Sequence, residues 1–101
     1  MAEDPLKPIE TLDAELFKMA RQLGQFALGE GGALPRKVKL LIALALDADH
    51  GTAAGVTSLA RMALSAGATH PEIAETLRIA LYIGGVGTTF TAAEALKNLQ
   101  T

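Results

Sequence analysis

The chain has 101 residues, a formal net charge of −2 and no cysteine, and 50% of its residues are apolar. The length corresponds to one domain over residues 1–101. The missing cysteine excludes a disulfide-stabilised scaffold, an iron–sulfur centre and thiol catalysis. The weakly acidic charge does not supply the basic face that nucleic acids need, so we expect no nucleic-acid partner. Alanine and leucine dominate the apolar residues, and this composition favours an all-α fold.

The amino terminus does not have the pattern of a targeting signal. Residues 1–10 are acidic, contain Pro5 and Pro8, and are predicted to be a flexible arm. The longest uncharged stretch, residues 79–93, has only 15 residues and includes three glycines and three threonines. It is too short and too polar to span a bilayer, so we expect a cytoplasmic protein without a membrane partner.

The first two predicted helices occupy the amino-terminal half. The first begins near Thr11, whose hydroxyl can cap it, and ends at the glycine-rich run 29–32. The second begins near Pro35 and extends to about Asp49. From Leu40 to Leu46 this helix is apolar on every side. A helix of this kind must be buried all round, so we expect one side of it to meet another subunit.

The second half of the chain is predicted to contain three further helices, about five in total. The segment DADHG, residues 47–51, breaks or kinks the chain before a third helix over 52–66. Thr69 and Glu72 have the spacing of a capping box, which starts a fourth helix. The run GGVG at 84–87 interrupts that helix, and a last one covers about 88–99.

Several separated blocks in this order carry a family resemblance: Leu34-Pro35-Arg36, the apolar helix after it, Ala66-Gly67-Ala68-Thr69, Glu72-Ile73, and Tyr82 with Gly84-Gly85. Together they resemble the carboxymuconolactone decarboxylase family, which includes the alkylhydroperoxidase D-like proteins. The resemblance covers about residues 33–97. It implies an all-helical subunit that assembles into a homotrimer or homohexamer, with a pocket near the subunit contacts.

The resemblance also locates the family's catalytic positions. In the peroxidase branch a C-x-x-C pair opens the third helix, and a histidine follows four residues after the second cysteine. Counted back from Gly67, these positions fall on Thr52, Gly55 and Leu59, and the family's upstream glutamate falls on Leu40. Threonine and glycine cannot attack a peroxide or resolve a sulfenic acid. In the lactone decarboxylases a histidine stands at the position of Leu59, so that chemistry also lacks its base here.

The remaining candidates for chemistry precede the third helix. Histidine is a common acid or base in catalysis, so His50 is a candidate for that role, and Asp47 or Asp49 is positioned to orient it. The same residues offer metal-ligand atoms, but their spacing matches no established metal motif, so we expect neither a metal nor a cofactor. Alternatively, the aspartates are ordinary turn and cap residues. Tyr82, the one tyrosine, either lines the pocket with its hydroxyl or packs its ring.

Three functional hypotheses follow from these observations. The first is an oligomeric small-molecule-binding or scaffold protein without dithiol peroxidase activity. The second is a divergent enzyme that uses His50 with Asp47 or Asp49 on a small organic acid or lactone. The third is a peroxidase-type antioxidant, as family membership alone would suggest. The joint replacement of the four catalytic positions favours the first hypothesis.

Overall fold

The structure is a computed structural model that describes residues 4–97 and Leu99, and over these residues it contains six helices and no strand. The chain divides into two compact units, residues 1–32 and 33–101. The first unit holds α1 (Lys7–Leu12) and α2 (Ala14–Leu28). The second holds α3 (Arg36–His50), α4 (Ala53–Ser65), α5 (His70–Gly84) and α6 (Val86–Lys97). The all-α prediction is confirmed, with one helix more than expected, and the single domain stays a prediction.

The additional helix, α1, lies partly within the segment predicted to be an irregular arm. That prediction is wrong for residues 7–10, which are helical. Pro8 lies in the first turn of α1, where a missing N–H costs nothing. The carboxylate of Asp4 accepts the Leu6 N–H at 2.9 Å and pairs with Arg21 of α2. These two interactions hold the pKa of Asp4 below its ordinary value.

The start of α2 differs from the sequence prediction. Thr11 lies inside α1 and caps nothing, whereas Asp13 has extended backbone and accepts the N–H of Leu16 at 3.0 Å. Aspartate is among the strongest N-cap residues, and its carboxylate also complements the helix dipole. The apolar face of this unit stays exposed, since no residue of α1 or α2 is buried. Its large exposed side chains are Leu12, Leu16, Met19, Leu23 and Phe26.

In the second unit, α3 packs against α4, α5 and α6. Its buried face consists of Leu40, Leu44 and Ala48, which lie one turn apart and are fully inaccessible to solvent. Leu44 and Ala48 belong to a core cluster that also contains Val56, Ala60, Ile73, Ala95 and Leu99. Three of these seven residues are alanine, and small side chains allow the helix axes to approach closely.

Only one side of α3 is buried within the chain. Ile42 is 47% exposed and Leu46 is 55% exposed, so its own chain does not bury this helix all round, as expected if one side of it meets another subunit. The apolar run is continuous in sequence, but one chain has helices on only part of its circumference. Contact of the exposed side with another subunit stays a prediction.

The end of α3 lies one residue beyond the predicted end near Asp49. Asp47, Asp49 and His50 belong to its last turn, so the predicted break falls at the end of the segment 47–51. Only Gly51 leaves the helical conformation, with a φ of 83°. The N–H of Thr52 donates to the carbonyl of Asp47 at 2.9 Å. One glycine in the left-handed conformation is sufficient to end a helix, because it directs the N–H groups at the helix end towards the carbonyls of the last turn.

The capping box at the start of α5 is confirmed. The N–H of Glu72 donates to the Thr69 hydroxyl at 3.2 Å, and the Thr69 N–H donates to the Glu72 carboxylate at 2.9 Å. Lys37 of α3 donates to the same carboxylate at 3.1 Å. The Thr69 N–H, and after it Lys37, lower the pKa of Glu72. This carboxylate therefore joins the start of α5 to α3.

We predict that Glu72→Gln makes the free energy of unfolding less dependent on pH between neutral and acidic conditions. Because the folded pKa of Glu72 is lowered, its stabilisation is complete above the ordinary value of 4.5 and is lost as pH falls below it. Urea unfolding from neutral to acidic pH should show a steeper loss for the wild type than for the variant. Glu75→Gln, an exposed change on the same helix, is the control and should keep the wild-type slope. Equal slopes for wild type and Glu72→Gln would contradict the assignment.

Candidate functional site

The two aspartates in the last turn of α3 each lie against a glycine of another helix. The carboxylate of Asp47 occupies the space where a β-carbon would stand on Gly55 of α4. The carboxylate of Asp49 occupies the corresponding space at Gly84 of α5. Residues two positions apart on a helix point in nearly opposite directions, which explains why the aspartates reach different neighbours. Glycine at both positions leaves room for a carboxylate between closely packed helices.

The predicted catalytic residues do not form one cluster in the chain. His50 is exposed at the end of α3, Asp47 lies against α4, and Asp49 lies against α5. Among the described residues there is no group of three or more histidine, aspartate or glutamate side chains placed to hold a metal ion. The acid–base roles assigned to these three residues stay predictions.

The family's catalytic positions lie in different surroundings. Leu40 is fully buried, and Leu59 is partly buried and packs against the core. Thr52 is exposed before α4, and its methyl group lies 3.2 Å from the β-carbon position of Gly55. Tyr82 is 86% exposed, so neither its ring nor its hydroxyl is enclosed by the chain. None of these four family positions, nor Tyr82, lines the cavity between α5 and α6 or the groove between α3 and α5.

A cavity of about 450 Å³ opens between α5 and α6. Its walls are mainly apolar, with Leu77 and Leu81 from α5 facing Leu96 from α6. The ionisable residues among those lining it are His70 and Arg78, and both are basic. The apolar spacing along α5 does not distinguish a face packed in the core from one that lines a cavity. Small residues opposite this face on α6 are the sequence signal for free space.

Thr88 lies in the wall of this cavity and close to the carboxylate of Asp49 of α3. It lines the cavity and is only 3% exposed, yet its hydroxyl oxygen has no hydrogen-bond partner. That oxygen lies 2.8 Å from the β-carbon position of Gly84, where the Asp49 carboxylate also lies. Nearly all buried hydroxyls in folded proteins are hydrogen-bonded, so an unpartnered one requires an explanation. Sequence reasoning missed Thr88 because its burial depends on how α6 packs.

Thr57 provides a direct comparison for Thr88. It is also a buried threonine, at 8% exposure, but its hydroxyl donates to the carbonyl of Ala95 at 2.8 Å. This bond joins α4 to α6. The two residues therefore differ in hydrogen bonding while sharing side chain, burial and helical conformation.

We predict opposite stability effects for valine at these two positions. Thr88→Val removes an unpartnered buried hydroxyl at constant volume and should raise the free energy of unfolding by about 1–3 kcal/mol. Thr57→Val removes a satisfied hydrogen bond and should lower it by about 1 kcal/mol. Urea denaturation followed by circular dichroism measures both. A destabilised Thr88→Val protein would contradict the description of its hydroxyl as unpartnered.

The comparisons with known proteins identify the chain's relatives. Residues 14–98 match the family model described as carboxymuconolactone decarboxylase family. A similar solved structure is the crystal structure of an apo carboxymuconolactone decarboxylase family protein from Legionella pneumophila, at 33% sequence identity and a TM-score of 0.84. That match covers 93% of this chain and 83% of the Legionella chain.

The comparison with curated proteins gave no significant match. No helix in the described part of the chain is long and apolar enough to cross a membrane. The family model spans most of the chain, and the solved relative shares its helical fold. The chain belongs to the carboxymuconolactone decarboxylase family.

Proposed function

We propose that this family member is an oligomeric binding protein for a small organic acid with an apolar body, without dithiol peroxidase activity. The observation that carries the proposal is the cavity between α5 and α6, with its apolar walls and its two basic residues. Its volume of about 450 Å³ lies within the range of typical small-molecule sites. Small-molecule sites in helical proteins commonly lie between packed helices.

The chemistry of the walls defines the ligand class. Leu77, Leu81 and Leu96 offer apolar surface to a hydrocarbon body, whose removal from water drives binding by about 25 cal/mol per Å². Arg78 is exposed and lines the cavity, so its guanidinium stays solvated in the free protein and is available to a carboxylate. Arginine binds carboxylates through two parallel hydrogen bonds, which favours an acid over a neutral ligand.

The absence of dithiol chemistry follows from the residues at the family's positions. A dithiol peroxidase needs a thiolate and a resolving thiol, and the chain contains no cysteine. By the family correspondence, the relay glutamate and histidine are Leu40 and Leu59, and both leucines contribute to packing of the second unit. Neither side chain can transfer a proton. The proposal that the protein has no dithiol peroxidase activity therefore rests on the absence of the two thiols and of the two proton-transfer groups.

Self-association is supported by an apolar surface on α3 and α5. Ile42 and Leu46 of α3 and Ile79 of α5 line a groove of about 340 Å³, and Ile79 is 65% exposed. Ile83, one turn further along α5, is exposed as well. A contiguous apolar surface of this kind is typical of a protein interface. The family resemblance makes a homotrimer or homohexamer the proposed assembly.

We predict that octanoate binds saturably and that Arg78→Gln weakens this binding tenfold or more. A hydrogen-bonded charge contributes about 1.5–3 kcal/mol, which corresponds to at least that factor. Isothermal titration calorimetry measures the dissociation constants. Lys97→Gln changes a basic residue at the end of α6 that does not line the cavity, and it should leave the affinity unchanged. Absence of saturable octanoate binding to the wild type would overturn the proposed ligand class.

We also predict that Ile79→Glu reduces the molar mass measured by light scattering from that of an oligomer towards that of a single chain. A charge placed in an apolar interface is desolvated without a partner, which strongly opposes association. Ser58→Glu changes an exposed residue of α4 and serves as the control that keeps the oligomer. A wild-type protein with the mass of one chain would refute the proposed assembly.

A further inference from the structure

We infer that the cavity between α5 and α6 has a second polar recognition point, at Thr88 and Asp49, and that it takes a hydroxylated organic acid. In this arrangement the ligand carboxylate binds Arg78, and its hydroxyl lies at the turn between α5 and α6. The inference rests on the proposed function, since it assumes that the cavity is the ligand site. It adds the position and the chemistry of a second contact.

The first support is the unsatisfied hydroxyl of Thr88. It is buried and lacks a partner, although the residue forms part of the cavity wall. Asp49 approaches the same position but makes no hydrogen bond with this hydroxyl. An unpartnered buried hydroxyl requires an explanation, and a molecule bound in the adjoining cavity would provide one by supplying the partner.

The second support is the chemistry of the pair. A carboxylate only accepts hydrogen bonds, whereas a threonine hydroxyl both donates and accepts. An alcohol hydroxyl satisfies both, because it donates to the carboxylate and accepts from the threonine. A second ligand carboxylate at this end would be repelled by Asp49, and a methyl group would leave both protein groups unsatisfied.

The third support is Gly84. A β-carbon at this position would overlap the Asp49 carboxylate and lie 2.8 Å from the Thr88 hydroxyl oxygen. The next residue, Gly85, has a φ of 95° and separates α5 from α6, and its carbonyl accepts the N–H of Thr88 at 3.1 Å. The absence of a side chain on Gly84 thus leaves room for the Asp49 carboxylate beside Thr88.

The spacing along α5 separates the two recognition points. Arg78 precedes Gly84 by six residues, which corresponds to about 9 Å along a helix. The carboxylate and the hydroxyl of the ligand are therefore several carbons apart. This geometry favours an acid hydroxylated at the far end of its chain over one with the hydroxyl beside the carboxylate.

Calorimetric titration of octanoate and ω-hydroxyoctanoate tests the inference. We expect the wild type to bind the hydroxylated acid about tenfold more tightly, a difference that corresponds to about 1.4 kcal/mol. In Thr88→Val the two acids should bind with equal affinity. Thr91→Val changes a threonine of α6 that does not line the cavity and whose hydroxyl donates to the carbonyl of Gly87 at 3.3 Å, and it should retain the preference.

Each outcome has a distinct meaning. Octanoate binding without a preference for the hydroxylated acid overturns the inference and leaves the proposed function standing. Failure of both acids to bind overturns the proposed function, and the inference falls with it. An equal loss of preference in Thr88→Val and Thr91→Val overturns the assignment to Thr88. If Thr88→Val does not fold, as judged by circular dichroism, Gly84→Ala replaces it, and retention of the preference in Gly84→Ala overturns the inference.

Discussion

The close approach of α3 to its neighbours is the constraint on which the second unit depends. Leu40, Leu44 and Ala48 form a fully buried stripe, and the helices around it present alanine at many of their contacts. At the end of the same helix the spacing leaves room for a carboxylate only where the partner is glycine, as at Gly55 and Gly84. Packing thus determines where the polar residues of α3 lie.

That constraint explains which features were predictable from the sequence. The helices of the second unit follow from apolar spacing, and the capping box of Thr69 and Glu72 follows from two residues three positions apart. Both signals are local. The family resemblance, which rests on several blocks in order, correctly indicated the fold. The missed helix α1 begins after Asp4, whose carboxylate accepts the Leu6 N–H, and Asp13 in place of Thr11 caps α2. The roles of both aspartates require knowledge of the backbone around them.

The candidate site was harder to predict because its residues acquire meaning only through packing. Asp47 and Asp49 are two positions apart, which places them on opposite sides of a helix, but the sequence does not indicate which helices they reach. Thr88 resembles its neighbour Thr89 in sequence, yet one is buried and the other exposed. The cavity depends on the space left between leucines of α5 and alanines of α6. The apolar spacing of a helix predicts which face is buried, but not how completely the facing side chains fill the space between two helices.

The hydroxyl of Thr88 bears on whether the cavity has a function at all. Valine has nearly the same volume and would remove a desolvated polar group, so a sequence selected for stability alone has no reason to keep threonine there. Thr57, equally buried, contributes a hydrogen bond between α4 and α6 and needs no such explanation. Natural proteins commonly retain locally unfavourable groups at binding sites, where the ligand compensates for them. The contrast between the two threonines therefore favours a liganded cavity over a packing defect.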